Sequence, residues 1–575
     1  MSSAMTDSRI LGLSPVGFNT ATTLVVNGQC VYAVEEERLI RAKRTRNFPA
    51  QGIRAALDHA GLAFTDIDTV AVSWNPAINI EVNNAAQSGR ARYLGEIFYS
   101  VPSNLMALGP KGSDITLSQQ KISYSDGREL SIAYVNHHVA HAACFFVSPF
   151  EEAAVLTVDA FGEKNCVTFS RGRGNRLEQI WTQDFPHTLG SFYSAMTEFC
   201  GFAPQNDEWK LMGASSYGDA DRFYAPLMGL FDLHEEAGFS LDLGPFNFHQ
   251  FHRPGFSNAG METLLGMKAN GREVPLTQDY YDLAASAQRV AEDIYLHLLN
   301  QLHRHTGLDS VVIAGGVALN CVANGKVLSQ TPFKNIFVPP VPDDSGGSLG
   351  AAYYMHCQVN GGQRDFVMDA NYLGPGFDDA EIAATLAKYK LQSERVDNPA
   401  DCAAGLIADG NIIGWFQGRL EFGDRALGNR SILADPRDAE MKDKVNETIK
   451  YREPFRPFAP AIMERFRDDY FEGACPTPFM EKAFPIRPER HAEIPAVTHV
   501  DGTGRLQTVG EKQNPLFHSL IEAFHKRTGV PVVLNTSFNL KGEPVVCTPE
   551  DAVRTFFSCG LDALVIGNHV LRKTK

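Results

Sequence analysis

Two stretches of the chain place hydrophobic and polar residues in alternation, a pattern that predicts β-hairpins. Residues 10–38 contain two β-rich runs on either side of Asn27-Gly28, a dipeptide that favours a tight turn between antiparallel strands. Residues 153–181 repeat this design, with a strand that ends at Asp159, a glycine turn and a returning strand. The repetition predicts a duplicated hairpin, and the polar turn of each copy is able to face a phosphate.

Helical and strand patterns alternate after the second hairpin. Apolar residues recur at helical spacing over residues 286–307, which predicts an amphipathic helix. A strand, a glycine turn and a helix follow over residues 310–327, and residues 335–356 repeat this order with acids in the loop. Glycines and prolines then punctuate the chain and predict a domain junction. The predicted domains are therefore 1–360 and 361–575. The alternation of strand and helix patterns indicates the α/β class for both.

The composition excludes several classes of protein. A chain of 575 residues is too long for one hydrophobic core, and its 44% hydrophobic and 21% charged residues are typical of a globular protein. No run of about 18 uncharged apolar residues indicates a membrane helix, and the first residues lack a signal-peptide pattern, so we expect a cytoplasmic protein. The ten cysteines form no zinc or disulfide pattern, and the net charge of -15 argues against a nucleic-acid partner.

One basic segment interrupts this acidic chain. Residues 38–46 contain five cationic side chains. Such a run is most often a solvated surface segment, and the alternative is a positive rim for an anionic substrate. The five residues are Arg38, Arg41, Lys43, Arg44 and Arg46.

Three histidines fall close together in the otherwise apolar stretch VNHHVAHAACFF. In a helix, His137 and His141 would share one face, a common arrangement for holding a divalent metal, while His138 with His141 is a less usual pair. The further ligands would be acids at the ends of strands, where α/β folds place their sites, and Asp159 and Asp344 meet this condition. The alternative is that the histidines are hydrogen-bonded residues of the core or of a helix cap.

Loops that contain glycine predict a nucleotide cleft. Gly315 and Gly316 follow a strand and open a helix, where backbone N–H groups suit phosphate, although a role in helix packing is the alternative. Lys210 and Gly213 lie in a second glycine-containing stretch, which we expect to be a loop. Together with the paired hairpins, these stretches predict a nucleotide cleft of the actin-like ATPase type, with Asn320 among its contacts.

Cationic residues also lie among apolar residues and glycines between positions 418 and 460. Arginines in such partly buried places usually hold a carboxylate or a phosphate, and ion pairs with Asp424, Asp435 and Glu453 are the alternative here. A polar cluster then follows a strand at residues 535–539, where binding of a small planar group or a phosphate competes with an ordinary turn. The cations are Arg419, Arg425, Arg430, Arg437, Lys450, Arg452 and Arg456.

Taken together and in this order, the motifs of the chain are specific. Over nearly its whole length the chain resembles the O-carbamoyltransferases of the nodulation-factor, cephamycin and aminoglycoside type. The resemblance implies an N-terminal domain of actin-like (ASKHA) fold and a C-terminal domain of the YrdC-like, carbamoyl-adenylate-forming fold. The motifs that carry it are AVEEERLIRAK, VNHHVAHA, VDAFGE, EWKLMGASSYG, GGVALN, PDDSGGSLGAA, GRLEFGDRALGNRSILADPR, KYREPFRPFAP and NTSFN.

The resemblance also implies site residues and cofactors. It implies an iron-type divalent metal site at His137, His141, Asp159 and Asp344, whose ion holds phosphate oxygens of an adenylate, and Mg²⁺ with ATP. Among the contacts to carbamoyl phosphate and ATP, three cations are the expected catalytic residues, namely Arg425, Lys450 and Arg456. The full set of these contacts is Arg425, Lys450, Arg456, Arg505, Asn535 and Ser537.

One departure concerns the general base of the transfer step. Many relatives have Gly-His-Asp in the first hairpin, where this chain has Gly17-Phe18-Asn19. A phenylalanine cannot accept a proton, so the sequence leaves the base unassigned.

The implied reaction has two stages. Carbamoyl phosphate is cleaved to carbamate and phosphate, and carbamate attacks the α-phosphate of ATP to give carbamoyl-adenylate and pyrophosphate. The carbamoyl group then passes to a hydroxyl of a small-molecule acceptor, an antibiotic or other specialised metabolite such as a polyketide or a glycoside. The alternatives are threonylcarbamoyl transfer to tRNA and a non-catalytic actin-like nucleotide-binding scaffold, and a homodimer is left open.

Overall fold

The computed structural model describes residues 8–573 except for 16, 18, 76–115, 251–252 and 273. The described chain divides into two compact units, and the second unit includes two short segments from the first part of the sequence. The first unit comprises the chain up to Ala33, Arg46–Leu319 and Val327–Met368. The second unit comprises Val34–Thr45, Asn320–Lys326 and the chain from Asp369 onward.

The strands and helices up to residue 353 mostly form the first unit. The strands are β1 Arg9–Ser14, β2 Ala21–Val26, β3 Gln29–Glu35, β4 Thr69–Val72, β5 Leu117–Ser123, β6 Glu129–Val135, β7 Glu152–Val158, β8 Asn165–Arg173, β9 Arg176–Asp184, β10 Phe231–Leu233, β11 Phe239–Leu241, β12 Ser310–Ala314 and β13 Asn335–Phe337. The helices are α1 Glu36–Ile40, α2 Ala50–Ala60, α3 His137–Ala142, α4 Leu189–Phe199, α5 Glu208–Ala214, α6 Tyr224–Met228, α7 Ala259–Leu265, α8 Gln278–Thr306, α9 Cys321–Gln330 and α10 Gly347–Tyr353.

Two sheets of the first unit share one strand order. In the first sheet the order is β3-β2-β1-β4-β6, with β5 added at the edge beside β6. In the second sheet the order is β9-β8-β7-β12-β13. Each sheet therefore has three strands connected as antiparallel neighbours, followed by two strands that run parallel to the first of them. This repeated order is that of the duplicated actin-like α/β fold, so the sequence-based prediction is confirmed.

Local sequence explains how the first sheet forms. Asn27 and Gly28 both have positive φ angles, of 51° and 80°, which a two-residue hairpin turn requires of its central residues. Gly12 lies in the middle of β1, where an added Cβ would come within 2.0 Å of the Ser348 carbonyl oxygen. Helix α10 can therefore pack directly against β1, which brings the loop before α10 to the end of that strand.

Helix α8 begins at Gln278, earlier than the residue 286 that the apolar spacing indicates. The early turns are polar and largely exposed, and the buried face starts only at Asp282 and Leu283. The predicted start therefore misses one exposed turn and one buried turn, Asp282–Ala285, which has an acid and small residues around Leu283 in place of the large apolar residues that mark the later helix. The described helices include none whose length and apolarity would suit a bilayer crossing.

The second unit is built around a nine-stranded mixed sheet of order β14-β22-β21-β15-β16-β20-β17-β19-β18. Its strands are β14 Glu394–Arg395, β15 Ile413–Phe416, β16 Arg430–Ala434, β17 Ala459–Met463, β18 Lys482–Pro485, β19 Thr503–Val509, β20 Val532–Ser537, β21 Ala563–Ile566 and β22 His569–Arg572. Its helices are α11 Asp379–Lys388, α12 Pro399–Ala408, α13 Met441–Val445, α14 Arg467–Tyr470, α15 Pro515–Thr528 and α16 Pro549–Phe557.

A buried tryptophan anchors the loop between β15 and β16. The indole Nε1 of Trp415 donates a hydrogen bond of 2.7 Å to the Gly428 carbonyl oxygen. Gly428 has a φ of +107°, and an added Cβ would lie 2.3 Å from the Phe517 ring of α15. The loop that carries Arg425 is thus held between the sheet and α15. The second unit is an α/β unit as expected, and its YrdC-like character stays a prediction from the resemblance.

Candidate metal centre and anion site

Helix α3 presents its histidines from a capped N-terminus at the end of β6. The Asn136 side chain accepts a hydrogen bond of 3.0 Å from the Val139 N–H. The buried carboxylate of Glu163 accepts from the His137 N–H at 3.0 and 3.1 Å. An acid at this position satisfies a free N–H group and suits the positive end of the helix. Glu163 is a positioning residue that our sequence analysis did not single out, although it lies in the VDAFGE motif.

The four residues predicted as metal ligands lie together. The Nε2 atoms of His137 and His141 are 3.1 Å apart. The Oδ2 atom of Asp159 lies 3.1 Å from His141 Nε2 and 3.6 Å from His137 Nε2, and the Oδ1 atom of Asp344 lies 3.8 and 3.4 Å from the same two atoms. All four ligand atoms fall within 4.8 Å of one another. Two imidazoles and two carboxylates fit a borderline divalent ion such as Fe²⁺.

The charges of this cluster are balanced by protons when no metal is bound. Burial alone would raise the pKa of Asp159, but hydrogen bonds and charges from His137 and His141 hold that pKa well below its usual range. Burial by itself would lower the pKa of His141. Hydrogen bonds to Asp159 and Asp344 outweigh this effect of burial, so the pKa is raised to about 9. The two acids therefore favour protonated imidazoles, and a divalent ion would have to displace these protons.

His138 lies outside the ligand cluster. Its Nδ1 atom is 2.7 Å from the Thr157 hydroxyl, which in turn lies 2.6 Å from the Thr168 hydroxyl. Burial, followed by the positive charges of His137 and His141, lowers the pKa of His138 well below its usual value. A neutral His138 bonded to the strand behind it helps to orient helix α3.

Glycines allow the backbone to approach both acids of the cluster. The Gly316 N–H donates a hydrogen bond of 3.1 Å to Asp159 Oδ2, so this part of the predicted phosphate loop holds a ligand-cluster acid. Gly315 has a φ of +95°, and an added Cβ would lie 2.2 Å from the Val158 carbonyl oxygen. Gly17 has a φ of +89° and lies so close to Asp344 that an added Cβ would meet the carboxylate. Phe18, the position of the missing general base, lies outside the described residues.

Replacing Gly17 by alanine is expected to displace Asp344 and to weaken metal binding at least about tenfold. An added Cβ at Gly17 would lie 2.0 Å from Asp344 Oδ2, the movable end of a side chain, so the fold can persist while the ligand shifts. Titration with Fe²⁺ without oxygen would measure the affinity. Gly61→Ala is the matched control, because Gly61 also has a positive φ and an added Cβ there meets no atom within 4 Å. Equal affinities of the two variants would contradict this prediction.

The other residues predicted to bind nucleotide occupy separate positions. Lys210 and Gly213 lie in helix α5, so the loop expected there is wrong: Leu211 and Ala214 bury one face and stabilise a helix. The Lys210 ammonium pairs with Asp207 Oδ2 at 2.9 Å. Asn320 groups with the second unit. A nucleotide-binding role for these residues and for Gly315 and Gly316 stays a prediction.

Lys450 and strand β20 form the first part of the anion site in the second unit. The Lys450 ammonium donates to the Ser537 carbonyl oxygen, lies 3.4 Å from Ser537 Oγ and 2.9 Å from Asn539 Oδ1. Asn535 on the same strand donates from Nδ2 to Gln507 Oε1 at 2.8 Å. The Oδ1 atom of Asn535 is buried without a hydrogen-bond partner. The end of β20 thus carries a side-chain acceptor without a donor, Asn535 Oδ1, and also binds the buried ammonium of Lys450.

Neighbouring cations make the second part of the anion site. Burial, together with the positive charges of Arg425 and Arg456, lowers the pKa of Arg505 to about 9. Burial, and then Arg452 and Arg456, likewise hold the pKa of Lys450 well below its usual range. The Nε atom of Arg505 is buried without a hydrogen-bond partner. Buried cations such as Arg505 and Lys450, whose pKa is depressed by neighbouring positive charges, are typical of a site for an anion.

The structure brings all six residues predicted to contact carbamoyl phosphate and ATP into the second unit, and it adds Arg452. The pKa of Arg452 is lowered by burial and by Arg456 and Arg505, so its charge belongs to the same cluster. Its place in the KYREPFR stretch between Lys450 and Arg456 was the available signal.

Three predicted cations have structural partners instead of a ligand. Arg437 forms an ion pair of 2.6 Å with Asp435, as the alternative interpretation expected. Arg419 donates to the Gly374 carbonyl oxygen at 2.9 Å. Arg430 lies 3.7 Å from the centre of the Phe416 ring and donates only to backbone carbonyls, those of Gln417, Gly418, Asn429 and Pro375. Partly buried arginines here therefore divide between loop stabilisation and the anion site.

Comparison with known proteins assigns the family. The family model described as "Carbamoyltransferase N-terminus" matches residues 9–353, and "Carbamoyltransferase C-terminus" matches residues 404–573. "Nodulation protein NolNO" of Sinorhizobium fredii is 36% identical, over 96% of this chain and 78% of that protein. "Uncharacterized protein sll1178" of Synechocystis is 38% identical, over 99% of this chain and 97% of that protein.

A solved structure, HypF of T. kodakarensis, aligns with 62% of this chain and 48% of its own at 14% identity, with a TM-score of 0.30, too low to support an argument. The fold assignment rests on the strand order, and the family assignment rests on the two matched models and on relatives that align over nearly the whole chain. The chain belongs to the carbamoyltransferase family and is an enzyme that transfers carbamoyl groups.

Proposed function

We propose that this enzyme activates carbamoyl phosphate with ATP in its second unit and transfers the carbamoyl group to a hydroxyl in its first unit. The observation that carries the proposal is the group of mutually repelling cations around Arg505, Arg425, Arg456 and Lys450. Glu453 pairs with Arg456 at 3.5 Å and offsets part of this charge. The remaining positive charge favours an anion of high charge, and both carbamoyl phosphate and ATP are such anions.

In the activation step, carbamoyl phosphate is hydrolysed to carbamate and phosphate. A carbamate oxygen then attacks the α-phosphorus of ATP, and the bond from that phosphorus to the β-phosphate oxygen breaks, so that pyrophosphate leaves. Lys450 and the arginines neutralise the charge of the phosphoryl groups during these steps. The Oδ1 atom of Asn535 can accept a hydrogen bond from the carbamoyl N–H₂ group, because its own Nδ2 is already bonded to Gln507.

In the transfer step, a hydroxyl oxygen of the acceptor forms a bond to the carbamoyl carbon and AMP leaves. A divalent ion held by His137, His141, Asp159 and Asp344, which we propose to be Fe²⁺, would supply positive charge beside the adenylate phosphate and the carbonyl oxygen. Glu163 and Asn136 orient the helix that presents the histidines, and Gly316 orients Asp159. The base that takes the hydroxyl proton is left unassigned.

The acceptor that we propose is a hydroxyl of a small specialised metabolite, such as a polyketide or a glycoside, in the cytoplasm. Membership of the carbamoyltransferase family supports a small-molecule acceptor. The net charge of -15 disfavours tRNA, whose binding needs a basic surface.

Release of pyrophosphate and AMP from ATP and Mg²⁺, measured with and without carbamoyl phosphate, tests the proposed function. We expect pyrophosphate release to depend on carbamoyl phosphate. ATP binding without such dependence would contradict the proposal and favour the nucleotide-binding scaffold, and dependence on threonine, bicarbonate and tRNA would favour the tRNA modification.

A further inference from the structure

In the basic segment of residues 38–46, some cationic residues are buried and others are exposed. Arg38 is buried and pairs through Nε with Glu35 at 2.9 Å and through Nη1 with Glu37 at 2.7 Å. Its Nη2 atom donates to the Gly423 carbonyl oxygen at 2.9 Å. Gly423 precedes Asp424 and Arg425, so Arg38 fastens the segment to the loop that brings Arg425 to the anion site.

The segment is fastened at a second place as well. Arg41 donates to the carbonyl oxygens of Pro544 and Val545 and lies 3.3 Å from Asp551 Oδ1. Pro544 follows Glu543, whose carbonyl oxygen accepts a hydrogen bond of 2.7 Å from Asn539. Asn539 is also the residue that receives the Lys450 ammonium. The segment therefore connects the loop of Arg425 with the loop that holds Lys450, and all of these residues belong to the second unit.

Lys43 follows these two attachments in the chain and has a different environment from Arg38 and Arg41. The residue is exposed to solvent, and the protein atoms around its ammonium still lower the pKa of that group by partial burial. The acids that face it are Glu37 and Asp424, and Glu37 already binds Arg38 through Oε1 and the Arg44 N–H through Oε2. The charge of Lys43 is also close enough to Lys450 to contribute to the lowered pKa of that residue. Lys43 is thus a solvent-accessible cation beside the buried cations of the anion site.

The backbone around Lys43 adopts a conformation that costs free energy. Arg41 and Arg44 have φ angles of 59° and 55°, in the left-handed region that residues other than glycine seldom occupy. Strain of this kind is kept where the surrounding structure requires one particular arrangement, and it concentrates at functional sites. Here the two turns bracket Lys43 while the side chains of Arg38 and Arg41 point into the protein.

We propose that Lys43 is a further binding residue of the anion site, where its ammonium receives a phosphoryl group of ATP or of carbamoyl phosphate. This inference rests on the proposed function, and it applies the positive-rim interpretation of the basic segment to Lys43. Lysine suits this place because its ammonium is a mobile point charge on a flexible stem, able to meet a phosphate as it enters from solvent.

Two measurements on wild type, Lys43→Ala and Lys43→Arg test the assignment. The first is binding of pyrophosphate and of inorganic phosphate by calorimetry, and the second is the KM of pyrophosphate release for each substrate. Lys512→Ala is the control, because Lys512 is an exposed lysine of the same unit. Loss of one charge-assisted hydrogen bond is expected to weaken pyrophosphate binding about tenfold or more in Lys43→Ala. Lys43→Arg and Lys512→Ala should stay within about twofold of wild type.

The kinetic arm identifies the source of the phosphoryl group. A raised KM for ATP alone assigns Lys43 to ATP, and a raised KM for carbamoyl phosphate alone assigns it to that substrate. Affinities and both KM values of Lys43→Ala that equal those of Lys512→Ala would overturn the inference. If the wild type releases no pyrophosphate with carbamoyl phosphate, the proposed function fails, and calorimetry with pyrophosphate still decides whether Lys43 binds a phosphoryl group.

Discussion

Replacing Arg505 by methionine is expected to stabilise the ligand-free protein and to remove most of its carbamoyl-phosphate-dependent pyrophosphate release. Arg505 lies among other cations, and its Nε atom is buried without a partner. Replacing such a group by an apolar side chain of similar length often stabilises a protein, and we expect a gain of about 1–2 kcal/mol in the free energy of unfolding. The same change removes a charge that the phosphoryl groups need, so activity should fall by about 10²- to 10³-fold.

Chemical unfolding without ligands and the pyrophosphate assay measure these two effects on one preparation. Arg395→Met is the control, because Arg395 forms an exposed ion pair with Asp379 in the same unit, and such pairs contribute little. A destabilised Arg505→Met variant would show that Arg505 serves the fold, and undiminished activity would show that it does not bind substrate. A gain in stability together with a loss of activity distinguishes a binding cation from a structural one such as Arg430.

Replacing His141 by alanine is expected to abolish high-affinity metal binding while pyrophosphate release in the second unit continues. His141 Nε2 lies 3.1 Å from both Asp159 Oδ2 and His137 Nε2, so its loss leaves three ligands around an open corner. We expect the affinity for Fe²⁺ to fall by about 100-fold or more, since outer partners of ligands alone change it by 10- to 100-fold. Anaerobic titration with Fe²⁺ measures this, and the pyrophosphate assay should stay within about threefold of wild type.

His138→Asn is the control on the same helix, because an amide can replace the bond from His138 Nδ1 to Thr157. Metal binding should persist in this variant. An equal loss of metal in His138→Asn and His141→Ala would mean that the effect comes from the fold of helix α3. Loss of pyrophosphate release in His141→Ala would contradict the assignment of activation to the second unit.

The pH dependence of metal binding follows from the raised pKa of His141. Without metal, His141 has a pKa of about 9, so it is protonated at neutral pH and becomes neutral only above that value. An ion must therefore displace its proton, and also that of His137 where this is bound, so affinity should rise with pH by about tenfold or more per unit until it levels off near pH 9. Calorimetry at pH 6.5 to 8.5 in two buffers of different ionisation enthalpy would count the released protons. An affinity that does not change over this range would contradict the proton-balanced cluster.

Much of the first unit could be predicted from the sequence because local patterns carry the information. Asn27 and Gly28 set the first hairpin through their positive φ angles, and the alternation of residues 153–181 indicates the second. The spacing of His137 and His141 identifies one helical face. By contrast, the sequence predicts a loop at Lys210 and Gly213, because a glycine weakens the helical pattern and only the packing of Leu211 and Ala214 favours a helix.

The tertiary structure decided what depends on distant partners. Asp344 reaches the histidines because α10 packs on β1 at Gly12, a contact that no local pattern of the sequence contains. The arginines of residues 418–437 look alike in sequence, and their roles differ only through what burial places beside them: a carboxylate for Arg437, carbonyl oxygens for Arg430 and other cations for Arg425. The sequence by itself therefore determined the paired hairpins, the helical face of the histidines and the types of residue at each site. Folding decided the partners, because charge and burial are set by contacts between residues far apart in the chain.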